Sequence, residues 1–260
     1  MAAAFPAQAA AEARTDVASL EVASASDETA ATGAGDDDWE VTVVPYGWLS
    51  GMKLDIDTPQ GEQIGVDESF GDILDVLKFT VMGAMEERKG RFVAIQDLIY
   101  LSTESKGEGS LGPGLVESEV DQKLLSVTLL AGYRAVDEGP LSLDVLAGAR
   151  ITTMKINIDL TGPLMEIERD TKATKVGPVV ASRFHAPLGE NWGLGVYGDL
   201  GGFGVTADLS WQLMANIHYR ISDHWSLGAG WRHFEADQEK DGFDVKLAID
   251  GPFLVASYRF

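Results

Sequence analysis

The sequence predicts an all-β chain, an antiparallel up-and-down transmembrane β-barrel of about ten strands within a range of roughly eight to twelve. Three observations predict it: long runs of period-two alternation, connections that alternate between tight and long, and aromatic residues gathered beside the tight ones.

Alternation is clearest from Asp208 to Arg220. One parity reads Leu209, Trp211, Leu213, Ala215, Ile217 and Tyr219; the other reads Asp208, Ser210, Gln212, Met214, Asn216, His218 and Arg220. Successive side chains of a strand point to opposite faces, so this segment has one apolar and one polar face. Residues 141–152 and 125–134 repeat the pattern. A soluble β-sandwich would also alternate, with its apolar face turned inward. The length of these runs, the arginines on their polar faces and the one-sided loops all disfavour it.

Taken in order, the runs place strands at about 39–53, 79–88, 91–103, 121–134, 141–157, 172–185, 192–201, 207–220, 225–237 and 243–260. The segments 87–90, 135–140, 186–191 and 221–224 read as tight turns. By contrast 54–78, 104–120, 158–171, 202–206 and 238–242 read as longer, acidic or glycine-rich loops. A barrel with short periplasmic turns and long extracellular loops has this asymmetry. Within the first long loop the β pattern breaks. Phe70, Ile73, Leu74 and Leu77 recur at helical spacing, and Ser69 with Asp72 forms a capping-box pair, so a short helix is expected. It either folds into the mouth as a plug or packs its apolar side on the rim.

The aromatics Trp39, Tyr133, Phe184, Trp192, Tyr219, Trp225, Tyr258 and Phe260 fall next to a tight turn or a terminus, as an interfacial girdle requires. The polar parity assigns charges to the lumen: Glu86, Arg88, Asp97, Arg134, Asp144, Arg150, Arg183, Asp199, Asp208, Arg220 and Arg232. Glu40, Thr42, Lys175, Asn216, His218 and Arg259 share that parity. Barrels of about eight strands are filled by their own side chains. A ten-stranded lumen of mixed charge is therefore either a salt-bridged interior or a thin polar channel for small solutes.

Composition removes several classes. The longest nearly uninterrupted apolar stretch, Leu124 to Tyr133, is half of the roughly 20 residues that a spanning helix needs. The chain has no cysteine, so thiol catalysis, disulfides and zinc-thiolate sites are excluded. Twenty basic against 41 acidic residues give a net charge of -21, which argues against sequence-independent binding to nucleic acid or anionic lipid, since both need a cationic surface. Residues 1–38 differ in kind, being rich in Ala, Ser, Thr and Glu, and form a domain apart from the barrel at 39–260. Ala7-Gln8-Ala9 and Ala11-Glu12-Ala13 have the small-x-small form of a signal-peptidase site but lack a basic region before them. The segment reads as a signal-peptide remnant or as a disordered extension.

No phosphate loop, HExxH or GxSxG motif occurs, and Asp55-x-Asp57 lacks the later ligands of a calcium loop. Catalytic, cofactor-binding and metal-ligating residues are accordingly expected to be absent. His233 near Glu235 is a candidate for lipid chemistry, weighed against an interfacial aromatic-like role.

The chain stops at Ser257-Tyr258-Arg259-Phe260, which resembles the C-terminal signature of Gram-negative outer-membrane barrels. That resemblance implies an outer-membrane location and reading of Tyr258 and Phe260 as assembly signals by the barrel-assembly machinery. It also implies contact with periplasmic chaperones, outer-membrane lipid and lipopolysaccharide. More narrowly, Pro45-Tyr46-Gly47-Trp48, Phe70-Gly71-Asp72-Ile73-Leu74, Gly90-Arg91-Phe92 and Asp97-Leu98-Ile99-Tyr100 are similar to the N-terminal half of a proteobacterial outer-membrane group without a defined activity. The similarity spans about 39–102 and implies no chemistry. The expected function is a non-enzymatic integral barrel, structural or weakly permeable. Behind it stand a porin-like small-solute channel gated by residues 69–78 and a lipid- or peptide-modifying enzyme.

Overall fold

A computed structural model describes residues 38–57, 63–111, 114–138, 141–162, 165–205, 207–240 and 243–260. The export-remnant and tail expectation concerns residues that, apart from Asp38, lie outside that set. The described elements are β1 (Glu40–Trp48), β2 (Gly51–Asp57), β3 (Gln63–Glu68), α1 (Phe70–Val76), β4 (Leu77–Lys89), β5 (Phe92–Leu111), β6 (Gly114–Glu138), β7 (Leu141–Gly162), β8 (Met165–Pro187), β9 (Trp192–Gly201), β10 (Leu209–Arg220), β11 (Trp225–Lys240) and β12 (Phe243–Arg259).

Strands pair antiparallel in the order β1-β4-β5-β6-β7-β8-β9-β10-β11-β12, and β12 pairs back with β1. Ten strands thus close on themselves. Closure leaves no edge inside lipid, where an unpaired backbone group would cost several kcal/mol, about 2–7 each. Side chains alternate between an outer face of exposed apolar residues and a filled interior. Val93, Leu130, Leu146, Val179 and Ala181 form one lumenal cluster, and Trp48, Ile99 and Phe253 form another. Gly148 also faces inward. A Cβ there would lie 1.8 Å from the Leu129 carbonyl oxygen, so glycine is what allows β6 and β7 to approach with this curvature.

Three expectations need correction. The single strand at 39–53 is β1 and part of β2, interrupted at Leu49 and Ser50. β2 nonetheless continues β1 along β12 in one register, Trp48 opposite Phe253 being followed by Gly51 opposite Asp250. Next, the loops at 104–120 and 158–171 are mostly strand: β5 and β6 pair as far as Leu111 opposite Gly114, and β7 and β8 as far as Gly162 opposite Met165. Beyond the bilayer both faces of a strand meet water, so hydropathy alternation fades while the backbone ladder continues. Finally, the first long loop contains the hairpin β2–β3 ahead of the expected helix.

α1 follows from its cap. Asp72 N–H donates to Ser69 Oγ at 3.3 Å and Ser69 N–H donates to Asp72 Oδ2 at 2.8 Å, the reciprocal pair that the sequence indicated. None of its residues is buried, and it lies against β2, β3 and β5.

The upper rim is uneven. The β8–β9 ladder begins only at Val179 opposite Gly201, so β9 does not extend along the earlier part of β8. The β4–β5 ladder likewise begins at Leu77 opposite Thr103. β5 to β8 therefore stand tall beside a low β9–β10 connection.

Candidate functional site

The lumen is the candidate site. At the tight-turn end Glu40 on β1 pairs with Arg88 on β4 and accepts from Arg259 Nε on β12 at 2.8 Å. One level further in, Arg183 on β8 reaches across to β4, its Nη1 and Nη2 donating to Glu86 Oε2 and Oε1 at 2.6 and 2.9 Å. The same guanidinium donates to Asp144 Oδ2 on β7 at 2.7 Å, and Asp144 Oδ1 accepts from Arg134 Nε on β6 at 2.9 Å. Asp144 is 1% exposed, so the two guanidiniums supply the partners that a buried carboxyl group needs.

Midway up lies a wider network. Tyr46 donates to Asp97 Oδ1 at 2.7 Å, and Arg232 Nη1 donates to the Tyr46 hydroxyl at 3.1 Å. Arg232 also grips Gln212 Oε1 through Nε and Nη2 at 2.9 and 2.7 Å. Asp199 Oδ2 then gathers Gln212 Nε2 at 3.1 Å, Arg150 Nη2 at 2.7 Å and the Tyr197 hydroxyl at 2.8 Å. Six strands, β1, β5, β7, β9, β10 and β11, contribute. Above it the apolar cluster of Trp48, Ile99 and Phe253 spans the mouth side, with Arg232 lying 4.5 Å over the Trp48 ring.

Two cavities remain. One of about 200 Å³ is lined by Ile95, Leu130, Met214 and Val255 together with Glu86 and Arg183. The other, about 330 Å³, lies toward the tight turns among Arg88, His185, His218 and Arg259. Glu86, Arg183 and Asn216 line both, so the Glu86–Arg183 pair is the partition between them. No α1 residue is among those lining either cavity.

Glu86, Arg88, Asp97, Arg134, Asp144, Arg150, Arg183, Asp199 and Arg232 are thus brought together inside the barrel. Two residues expected there are not. Asp208 precedes β10 and is exposed, its Oδ2 accepting from Glu239 N–H at 2.6 Å. Arg220 ends β10 and is exposed, donating to the Glu190 carbonyl at 2.5 Å. Both sit where the strand runs out, so parity no longer fixes which way they point. Lys175 is exposed on the upper part of β8 and donates to Gln238 Oε1 at 2.6 Å.

Tyr46, Tyr197 and Gln212 were not singled out by the sequence, although all three share the inward parity of their strands. Trp48 and Phe253 were hidden because large apolar residues on an inward parity run against a polar-lumen expectation.

The girdle residues Trp39, Tyr133, Trp192, Tyr219 and Trp225 are exposed on the outer face, and Phe184 is partly so. Trp192 packs on Tyr219, and Tyr258 on Trp225 and Phe260, with ring centroids 4.8–4.9 Å apart. Phe79 and Trp211 lie toward the opposite ends of β4 and β10. There His233 Nδ1 meets Asp250 Oδ1 at 3.0 Å, its ring 4.7 Å from that of Trp211, and Trp231 Nε1 donates to the same oxygen at 2.8 Å. On the upper wall the carboxylates of Glu104, Glu119 and Asp121 come within 4.8 Å of one another. Lys78 and Lys106 sit among them and supply the positive charge.

No family model matches the chain, and no curated protein matches its sequence. Solved structures similar to it include the outer membrane protease OmpT from Escherichia coli, at 9% identity and a TM-score of 0.47 over 86% of this chain and 97% of that one. The translocator domain of autotransporter NalP from Neisseria meningitidis is similar at 12% identity and 0.43, over 85% and 88%. Ail, the attachment invasion locus protein of Yersinia pestis, is similar at 12% and 0.34, over 86% and 99%. A closed antiparallel barrel whose outer wall is apolar and edged with aromatics is built for a membrane and not for water. The chain is an integral outer-membrane β-barrel.

Proposed function

We propose that this barrel is non-enzymatic and structural or weakly permeable, and that it belongs to the proteobacterial outer-membrane group which its Pro45–Trp48, Phe70–Leu74 and Asp97–Tyr100 segments resemble. One observation carries the functional reading: two levels of ion pairs and hydrogen bonds cross the lumen from strand to strand and are capped by the Trp48, Ile99 and Phe253 cluster. Charges held this way tie opposite walls together and leave little room for conduction. Tyr258 and Phe260 would be read during assembly, and the outer wall would contact outer-membrane lipid and lipopolysaccharide.

Planar-bilayer recording of the refolded chain tests this. Only preparations whose unboiled gel band migrates differently from the boiled one are used. The expected result is a silent or barely conducting membrane; discrete, reproducible conductance steps would refute the reading.

A small-solute channel is the second reading, favoured by the two cavities that meet at Glu86 and Arg183. Its gate would be that ion pair and not residues 69–78, because α1 lies against β2, β3 and β5. An enzyme would require His233 or a rim acid to be indispensable, and His233 is held on the outer face by Asp250, Glu235 and Trp211. That geometry supports an interfacial anchor.

A further inference from the structure

The outer face of β6, β7 and β8 can be followed row by row from the tight turns upward. Tyr133, Val145 and Ser182 share a row; above them come Ala131, Ala147 and Val180, then Leu129, Ala149 and Pro178, then Val127, Ile151 and Val176. Leu125, Thr153 and Thr174 follow, the two threonine hydroxyls 3.0 Å apart. The next row is Lys123, Lys155 and Lys172, each directly opposite the next.

Like charges directly opposite destabilise a sheet, so such a row needs an anion to offset it. Other lysines of the upper wall already have one: Lys78 pairs with Glu104 and Asp121, Lys106 with Glu104 and Glu119, and Lys246 with Asp244. Among the described residues Lys123, Lys155 and Lys172 have no ion-pair or hydrogen-bond partner. All three are exposed, and with Asn157, Thr171 and, on the outward side, Asp121 and Asp170 they line a concavity of about 350 Å³.

Their height is set by the barrel. Ten residues separate Lys123 from Tyr133. At about 3.3 Å per residue and a tilt of about 40° that is about 25 Å, the height of an outer-membrane barrel's apolar band. With Tyr133 at one interface, the three ammonium groups stand at the other, among the headgroups of the outer leaflet. We propose that the Lys123–Lys155–Lys172 row binds the phosphates of an outer-leaflet glycolipid. Each long side chain lays its methylenes along the wall and its ammonium at phosphate depth. The net charge of -21 forbids a spread-out attraction to anionic lipid and leaves a local row free to act. One row further out Asp121 and Asp170 reverse the sign and mark the top of the anionic layer.

The proposal rests on the outer-membrane reading, and the experiment separates the two. The refolded full chain, in a neutral detergent, is titrated with bisphosphorylated lipid A, and retained lipid is counted by native mass spectrometry. K123Q/K155Q/K172Q should bind about a hundredfold more weakly, the product of three headgroup-facing lysines, and added salt should weaken the unmodified protein. Lipid A stripped of both phosphates should be retained poorly by the unmodified protein, an arm that needs no variant to fold. Equal retention of phosphorylated and stripped lipid A, or undiminished binding by the triple variant, overturns the site. Displacement of lipid A by inorganic phosphate alone overturns its assignment to a lipid. A chain that never gives a heat-shifted band in detergent or bilayer defeats the outer-membrane reading itself.

Discussion

Arg183 spends both ends of its guanidinium on carboxylates that come from other strands, Glu86 on β4 and Asp144 on β7. A residue so placed acts as a tie across the lumen, because β4 and β8 are not neighbours in the sheet. Removing it leaves Glu86 without its bidentate partner and Asp144 with one guanidinium where it had two. Arg183→Ala is therefore expected to lower unfolding free energy by about 3 kcal/mol, and Glu86→Gln/Arg183→Ala by less than the sum of the two single changes. Urea unfolding of the refolded barrel in detergent checks this. A loss under 1 kcal/mol, near what a surface pair contributes, would mean that water already screens the site. The residues of this network were legible to different degrees. Arg150, Arg183 and Arg232 stand out because an arginine within an alternating run declares a polar face. Gln212 and Tyr46 do not, since both residue types also belong on surfaces and interfaces. The gathering of side chains from β7, β9 and β10 on Asp199 depends on closure of the barrel, which no single run of sequence contains.

At the scale of elements, α1 depends on its first turn. Asp72 is exposed, and hydrogen bonds from the Ser69 hydroxyl and backbone N–H hold its carboxyl below the ordinary carboxylate range. A depressed folded-state pKa stabilises the helix at every pH above the unfolded value, about 3.9 for Asp, and the support is lost as pH falls through the lower folded value. The Ser69 and Asp72 amide resonances are expected to hold steady from neutral pH to about 4 and to move toward random-coil positions below it. In Asp72→Asn that transition should vanish. Resonances that drift equally in both proteins would show that the cap is not what orders the turn. This helix could be read from four residues because its signal is local. The tall hairpins could not: residues 158–171 carry Asp, Glu and Arg without a single polar parity, so only pairing with a neighbour reveals a strand there.

At the scale of the molecule, strand number and closure were legible because the bilayer imposes one apolar face on every spanning segment, a constraint that ends where the bilayer ends. The same division predicts how the barrel tolerates change. Shortening the β5–β6 hairpin beyond Lys106 and Glu119 to a tight turn should leave the heat-shifted band and the urea midpoint of the protein unchanged, since the ladder pairs removed lie beyond the membrane-spanning part of the hairpin. A large loss of folded barrel would show that the hairpin guides assembly.

The uneven rim has a further consequence for association. On the side where β9 stops short, the β8–β9 ladder does not run beyond Val179, and a strand border that a neighbour leaves uncovered is a template for adding a strand from another molecule. Here Glu168, Arg169, Asp170 and Lys172 lie along that border, so an incoming strand would meet close-set charge of both signs with little apolar reward. Sheet growth at this border is opposed by the cost of dehydrating those side chains.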